Sequence, residues 1–285
     1  MRSRYLRGLL VALLGCAVVA AQAGDAPTRV VALGGDITEI VYALDAQDML
    51  VGVDSTSLWP QAATKLPDVG YVRQLAAEGI LSLHPQLILA THDAGPATVM
   101  TQLRDTGMRI EAMPVTRTPA TVVAKVKQVG AALGRDAQST ALASKIDGQY
   151  AALSKAVSSM TRHSRVMFLM SAGDGSPKAA GRETAADSAI ALAGGTNVGE
   201  GFIGYKAVSA EAMAGLAPDV IVLMHEREGE LGGIDGVLKL PGIAMTPAGR
   251  ARRIVFVDGQ ALLGFGPRNA EHELSLQRML ASIQP

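Results

Sequence analysis

Cysteine is all but missing from this chain of 285 residues; Cys16 is the only one. No disulfide framework and no thiolate cluster can therefore organise it. Aromatic side chains are scarce at 4 %, so a large core has to come from Val, Ile, Leu and Ala. No apolar run beyond the N-terminus reaches the roughly 18–20 residues that a membrane-spanning helix needs. Basic side chains form no block, which argues against nucleic acid or anionic lipid as a partner. Also missing are the Gly-x-Ser-x-Gly nucleophile elbow, the phosphate-cradling Gly-x-x-x-x-Gly-Lys loop and His-Glu-x-x-His. No nucleophile stands with a base, and an enzyme is not expected.

What is present begins with an export signal. Arg2, Arg4 and Arg7 precede an apolar run at 8–20, and Ala21-Gln22-Ala23 is a small-x-small cleavage site. That is the pattern of a secretory signal peptide over 1–23. The run Leu13-Leu14-Gly15-Cys16 also fits a lipidation box, which would anchor the chain by a lipid at Cys16. The apolar run continues past Cys16 to the cleavage site, and this favours a free periplasmic protein. Cleavage leaves 23 basic against 26 acidic side chains, a net charge of −3.

The remaining chain alternates β-branched runs with Ala-rich amphipathic segments. Strands are expected at 29–33, 50–54, 86–91, 109–113, 165–170, 219–224 and 252–257, with helices between them such as 36–44 and 97–106. Such alternation predicts an α/β fold with parallel sheets covered by helices. The stretch from Gly70, GYVRQLAAEGILSLHPQLILATH, returns from Gly204 as GYKAVSAEAMAGLAPDVIVLMH. Tyr71 matches Tyr205, Glu78 matches Glu211 and His92 matches His225, at spacings of 134, 133 and 133. Each copy reads as loop, short helix, proline stop and buried strand, so the chain is expected to hold two Rossmann-like lobes, 24–117 and 161–285. Helix formers fill 118–160 and predict a linker helix of about 60 Å at 1.5 Å per residue. Gly134-Arg135-Asp136 is a soft point at which it would instead be two helices.

In facing α/β lobes, ligands bind in the cleft beyond the carboxyl ends of the strands. The Gly34-Gly35-Asp36 turn there reads as a tight turn with Asp36 as helix cap. Tyr71, with Arg73 two residues on in a polar loop, reads either as a half-buried packing residue or as a metal ligand. Ferric iron is a hard acid, tyrosinate is a known axial haem ligand, and a guanidinium nearby favours the anionic oxygen. Glu78 and Glu211 each open a short helix, where the helix dipole favours a carboxylate. His92 and His225, each followed by an acid, would suit zinc or manganese across the cleft.

These stretches, together with GGDITEIVYALDAQDMLVGVDSTSLWP and LPGIAMTPAGRARRIVFVDGQALLGFGPR, resemble the periplasmic haem-binding proteins of bacterial haem ABC importers. The broader family also holds siderophore and cobalamin binders. The resemblance implies two lobes joined by a helix, and haem carried as ligand with Tyr71 on the iron. It implies an arginine of the second lobe beside the phenolate. Arg227 is the candidate, and Arg73 is the alternative for that role or a contact to a propionate. It also implies docking of Glu78 and Glu211 onto arginines of an ABC permease. Some relatives add a histidine after the first strand of the second lobe. Residues 170–174 here hold none, so five-coordinate ferric haem is expected, on a monomer.

Overall fold

The computed structural model describes residues 26–115, 117–170 and 177–283. The expected signal segment with Cys16 lies outside them. Among the described residues no helix is long and apolar enough to cross a membrane.

The first sheet holds β1 (Val30–Leu33), β2 (Leu50–Val53), β3 (Leu87–Ala90) and β4 (Ile110–Ala112) in the order β2-β1-β3-β4. Every pairing is parallel. Helices α1 (Gly35–Ala43), α2 (Ala77–Leu81) and α3 (Ala97–Asp105) cross over between the strands. In β1 every residue is buried, and successive side chains enter opposite layers. Val30 and Ala32 pack with α1, whereas Val31 and Leu33 pack with Ile80, Met100 and Leu103. A strand covered on both faces has no reason to alternate polar with apolar, hence the unbroken β-branched runs.

The second sheet contains β5 (Arg165–Met170), β6 (Lys178–Ala180), β7 (Thr196–Asn197), β8 (Tyr205–Ala207), β9 (Val220–Met224) and β10 (Ile254–Val257). Its order is β10-β9-β5-β6-β8, with β7 also on β5. β10, β9, β5 and β7 run parallel, and β6 pairs antiparallel with both β5 and β8. This departs from the all-parallel expectation. β6 and β8 are three residues each and too short to carry a readable alternation. Around them lie α6 (Ala185–Leu192), α7 (Ala210–Leu216), α8 (Glu228–Leu231), α9 (Gly233–Leu238), α10 (Pro247–Arg250), α11 (Gly259–Leu263) and α12 (Asn269–Ser282).

The single 40-residue strut is corrected by the structure. α4 (Pro119–Leu133) stops at Gly134, whose φ of 65° is a left-handed helix end. α5 (Asp136–Ser158) then runs 23 residues, about 34 Å. Thr118 and Thr121 form a capping box at the start of α4, with Pro119 in its first turn. A Cβ on Gly130 would lie 2.2 Å from Ser139 Cβ, so glycine lets the two helices meet. α4 packs on α1 of the first lobe and α5 on α12 of the second. One hydrophobic cluster runs from β1 through α4 and α5 to Phe265 and Ala270, joining the lobes by packing.

Candidate functional site

The carboxyl ends of β1, β2 and β3 form one rim. Asp54, 1 % exposed, ties the first two together. Its carboxylate accepts from the Gly34 amide at 2.8 Å, the Thr56 amide at 2.9 Å and hydroxyl at 2.7 Å, and the Ser57 hydroxyl at 3.1 Å. Burial pushes its pKa up despite these bonds. The Ser55 amide donates to Gly70 O at 3.0 Å and draws the next loop alongside. Gly70 takes a φ of 97°, which a side chain would resist. Val72 and Leu75 are buried beneath the turn, and the Gly95 amide donates to Val72 O at 2.8 Å. Val72 points inward, and its neighbours Tyr71 and Arg73 are exposed.

Arg73 Nη1 donates to Tyr71 Oη, and its guanidinium carbon stands 5.6 Å from the Tyr71 ring centre. Nε of Arg73 donates to Asp93 Oδ2 at 2.7 Å, and Nη2 forms an ion pair with the same oxygen. Asp93 is itself held by the Thr91 hydroxyl. Burial opposes charge on both partners. Asp93 and Tyr71 outweigh it for Arg73, and the Thr91 hydroxyl together with Arg73 outweighs it for Asp93, so Arg73 is held above and Asp93 below its ordinary value. The result is an exposed phenol with a fixed cation on its oxygen.

The duplicate of that phenol is presented differently. Tyr205 opens β8 instead of a loop and is half-buried. Burial pushes its pKa up, while the charges of Arg117 and Arg73 lower it. Only Tyr71 leaves its oxygen paired to a cation at the surface.

Other expected residues fall as follows. Arg227 pairs with Glu230, Nη1 to Oε1 at 3.2 Å and Nη2 to Oε2 at 3.1 Å. It is therefore Arg73, not Arg227, that the structure brings to the Tyr71 oxygen. Glu78 and Glu211 are exposed and second in α2 and α7. His92 and His225 are both exposed, and His225 bonds Glu228 at 2.8 Å. No group of three or more His, Cys, Asp or Glu suited to a metal ion occurs among the described residues. The 170–174 loop lies outside them except for Met170.

Asp36 does not cap α1, whose N-cap has no side-chain bond. It forms a buried ion pair with Lys125 of α4, and Lys125 Nζ also donates to Gly264 O of the second lobe at 3.2 Å. This is one part of a polar junction between the lobes that the sequence did not disclose. Arg268 donates to Glu39 Oε1 at 2.6 Å and Oε2 at 3.2 Å across the lobes, and to Asp258 Oδ2 at 2.6 Å. Burial pushes the Glu39 pKa up, and Arg268 lowers it in part. Gln260, from the loop end of β10, accepts from the Leu58 and Trp59 amides at 2.9 and 3.1 Å and donates to Gly35 O at 2.9 Å. A Cβ on Gly35 would meet Thr56 O at 2.4 Å and Gln260 Cδ at 2.8 Å. The second glycine of the turn therefore serves lobe contact.

A model of the periplasmic binding protein family matches residues 30–261. A solved structure described as periplasmic heme-binding protein BhuT in complex with two hemes is 38 % identical, covering 90 % of this chain and 98 % of that one, at a TM-score of 0.84. Periplasmic heme-binding protein RhuT from Roseiflexus sp. RS-1, in apo form, gives the same figures. HutB of Vibrio cholerae, likewise described as a periplasmic heme-binding protein, is 32 % identical at 0.78, covering 89 % of this chain and 98 % of that one. Among sequences, an uncharacterized ABC transporter substrate-binding lipoprotein, YvrC of Bacillus subtilis, is 23 % identical over 91 % of this chain and 81 % of its own. The vitamin B12-binding protein of Yersinia pseudotuberculosis is 36 % identical over 104 residues, 36 % of each chain.

Proposed function

Because the chain belongs to the periplasmic binding protein family, we propose that it carries ferric haem across the periplasm, held through Tyr71, to an ABC importer. The observation that carries this reading is the Tyr71–Arg73 pair on the cleft rim, in a chain whose similar solved structures are described as heme-binding proteins.

The chemistry follows from the two side chains. A ferric porphyrin core carries one net positive charge. A phenol that gives its proton to water supplies one negative oxygen, which neutralises it. Arg73, fixed by Asp93, stabilises charge on that oxygen through a charge-assisted hydrogen bond. With no histidine in 170–174, the iron takes Tyr71 as its one protein ligand. Arg227 stays outside the ligand set. The signal peptide at 1–23 exports the chain. Glu78 and Glu211, at matching places in the two lobes, are the contacts for arginines on the permease. One chain suffices for all of this, and the carrier acts as a monomer.

A second reading, cobalamin, is supported by the 104-residue match to vitamin B12-binding proteins. Melting of the purified protein with haem, cobalamin, a ferric siderophore or zinc separates the readings. A ligand at a hundred times its Kd stabilises the fold by about 2.7 kcal/mol. At about 2–4 °C per kcal/mol, that raises the Tm by roughly 5–10 °C. We expect the rise with haem. A rise with cobalamin and none with haem overturns the proposal.

A further inference from the structure

We infer that Trp59 is a wall of the ligand cleft, offering an apolar ring face to the porphyrin plane, and that the second lobe holds this face in place through Arg268 and Gln260. The inference rests on the haem reading and adds a residue that determines which ligand shapes fit.

Trp59 is the only tryptophan of the chain and is 49 % exposed. Its exposure does not come from looseness. Its amide and that of Leu58 both donate to Gln260 Oε1, and Gln260 Nε2 is bound in turn to Gly35 O and, at 2.8 Å, to Glu39 Oε1. The Arg268 guanidinium carbon lies 4.8 Å from the indole centre, within cation–π range. That guanidinium cannot wander, because Glu39 and Asp258 hold its nitrogens. With Arg268 set against the indole, about half of Trp59 still stands open, leaving ring surface for a ligand.

Its loop belongs to the cleft. The 54–59 loop leaves the carboxyl end of β2, and Ser55 is bonded to Gly70, next to Tyr71. Gln260 follows the carboxyl end of β10. Trp59 thus stands where the strand ends of both lobes converge, the position at which α/β lobes bind ligands. Lobe fastening alone explains the Arg268 contact but leaves the open face unexplained. A flat apolar ligand covers it, since aromatic rings prefer stacked contacts and bury a large area.

The test uses full-length mature protein and two probes, ferric haem and metal-free protoporphyrin IX, which offers the same ring without iron. Trp59→Ala is expected to weaken both about tenfold, with the absorption spectrum of the haem complex unchanged and the ligand-free Tm within a few degrees of the parent. Trp59→Phe is expected to recover most of that loss. Tyr71→Phe should weaken haem and spare the metal-free ring. Arg268→Met should shift the emission of the sole tryptophan and weaken both rings, as a positioning residue would. If the parent binds haem through Tyr71 while Trp59→Ala binds both rings within twofold of it, this inference is overturned and the haem reading stands. If the parent binds neither ring, both fall.

Discussion

Replacing Arg73 by alanine removes the cation from the Tyr71 oxygen, and the structure sets the size of the effect. The side chain makes one bond to Tyr71 and two contacts to Asp93, and it is 55 % exposed. A hydrogen bond to a charged group contributes about 1.5–3 kcal/mol. Solvent screening at this exposure argues for the low end, about 1.5 kcal/mol. That corresponds to roughly tenfold weaker haem binding. Arg73→Lys keeps the charge but loses the planar fork that serves Tyr71 and Asp93 together, so it should fall between the parent and alanine. The assay is haem titration followed by absorbance, with Arg227→Ala alongside. Arg227 pairs with Glu230 and should be silent. If Arg227→Ala weakened binding tenfold while Arg73→Ala stayed within twofold of the parent, the assignment of the supporting arginine would be refuted.

Lys125→Ala should lower the Tm by roughly 6–20 °C, because losing one partner of a buried pair costs about 3–5 kcal/mol and strands Asp36 between the lobes; calorimetry of the ligand-free protein checks it. Glu273 is fully buried, its Oε2 lacks a partner, and burial pushes its pKa well up. A raised folded pKa favours the protonated fold, so the stability it contributes is present in acid and is lost as pH rises above the usual glutamate value. Glu273→Gln should therefore match the parent near pH 4 and melt higher than it at pH 8, and equal melting at both pH values would contradict the assignment. Glu78→Ala combined with Glu211→Ala should abolish haem uptake in cells while the purified protein binds haem as before; uptake at parental level would remove the docking role.

Much of the frame was legible because it is local. Val30 to Leu33 and Val220 to Met224 are continuous apolar runs, and buried parallel strands need nothing more. The break at Gly134 was legible only as a soft point, because helix formers on both sides suit one long helix equally well and the left-handed φ that ends α4 leaves no further mark in the sequence. Tyr71 and Arg73 stand two residues apart, and local spacing places both on one turn. The junction between the lobes was illegible for the opposite reason. Glu39 and Arg268 lie 229 residues apart, and Lys125 and Asp36 lie 89 apart. Each reads alone as an ordinary surface charge, and only the completed fold pairs them. The same holds for Tyr205, whose match to Tyr71 in the repeat gave no sign that it would be half-buried at the start of a strand.

The proposed haem carriage depends on one bond, from the Tyr71 oxygen to iron. Resonance Raman spectroscopy of the ferric haem complex, excited in its charge-transfer band, reads that bond through tyrosinate ring modes. The parent protein is expected to show these modes of a five-coordinate, high-spin tyrosinate complex, and Tyr71→Phe is expected to lose them along with most of its haem affinity. Tyrosinate modes that persist in Tyr71→Phe, or a parent complex without them, would contradict it.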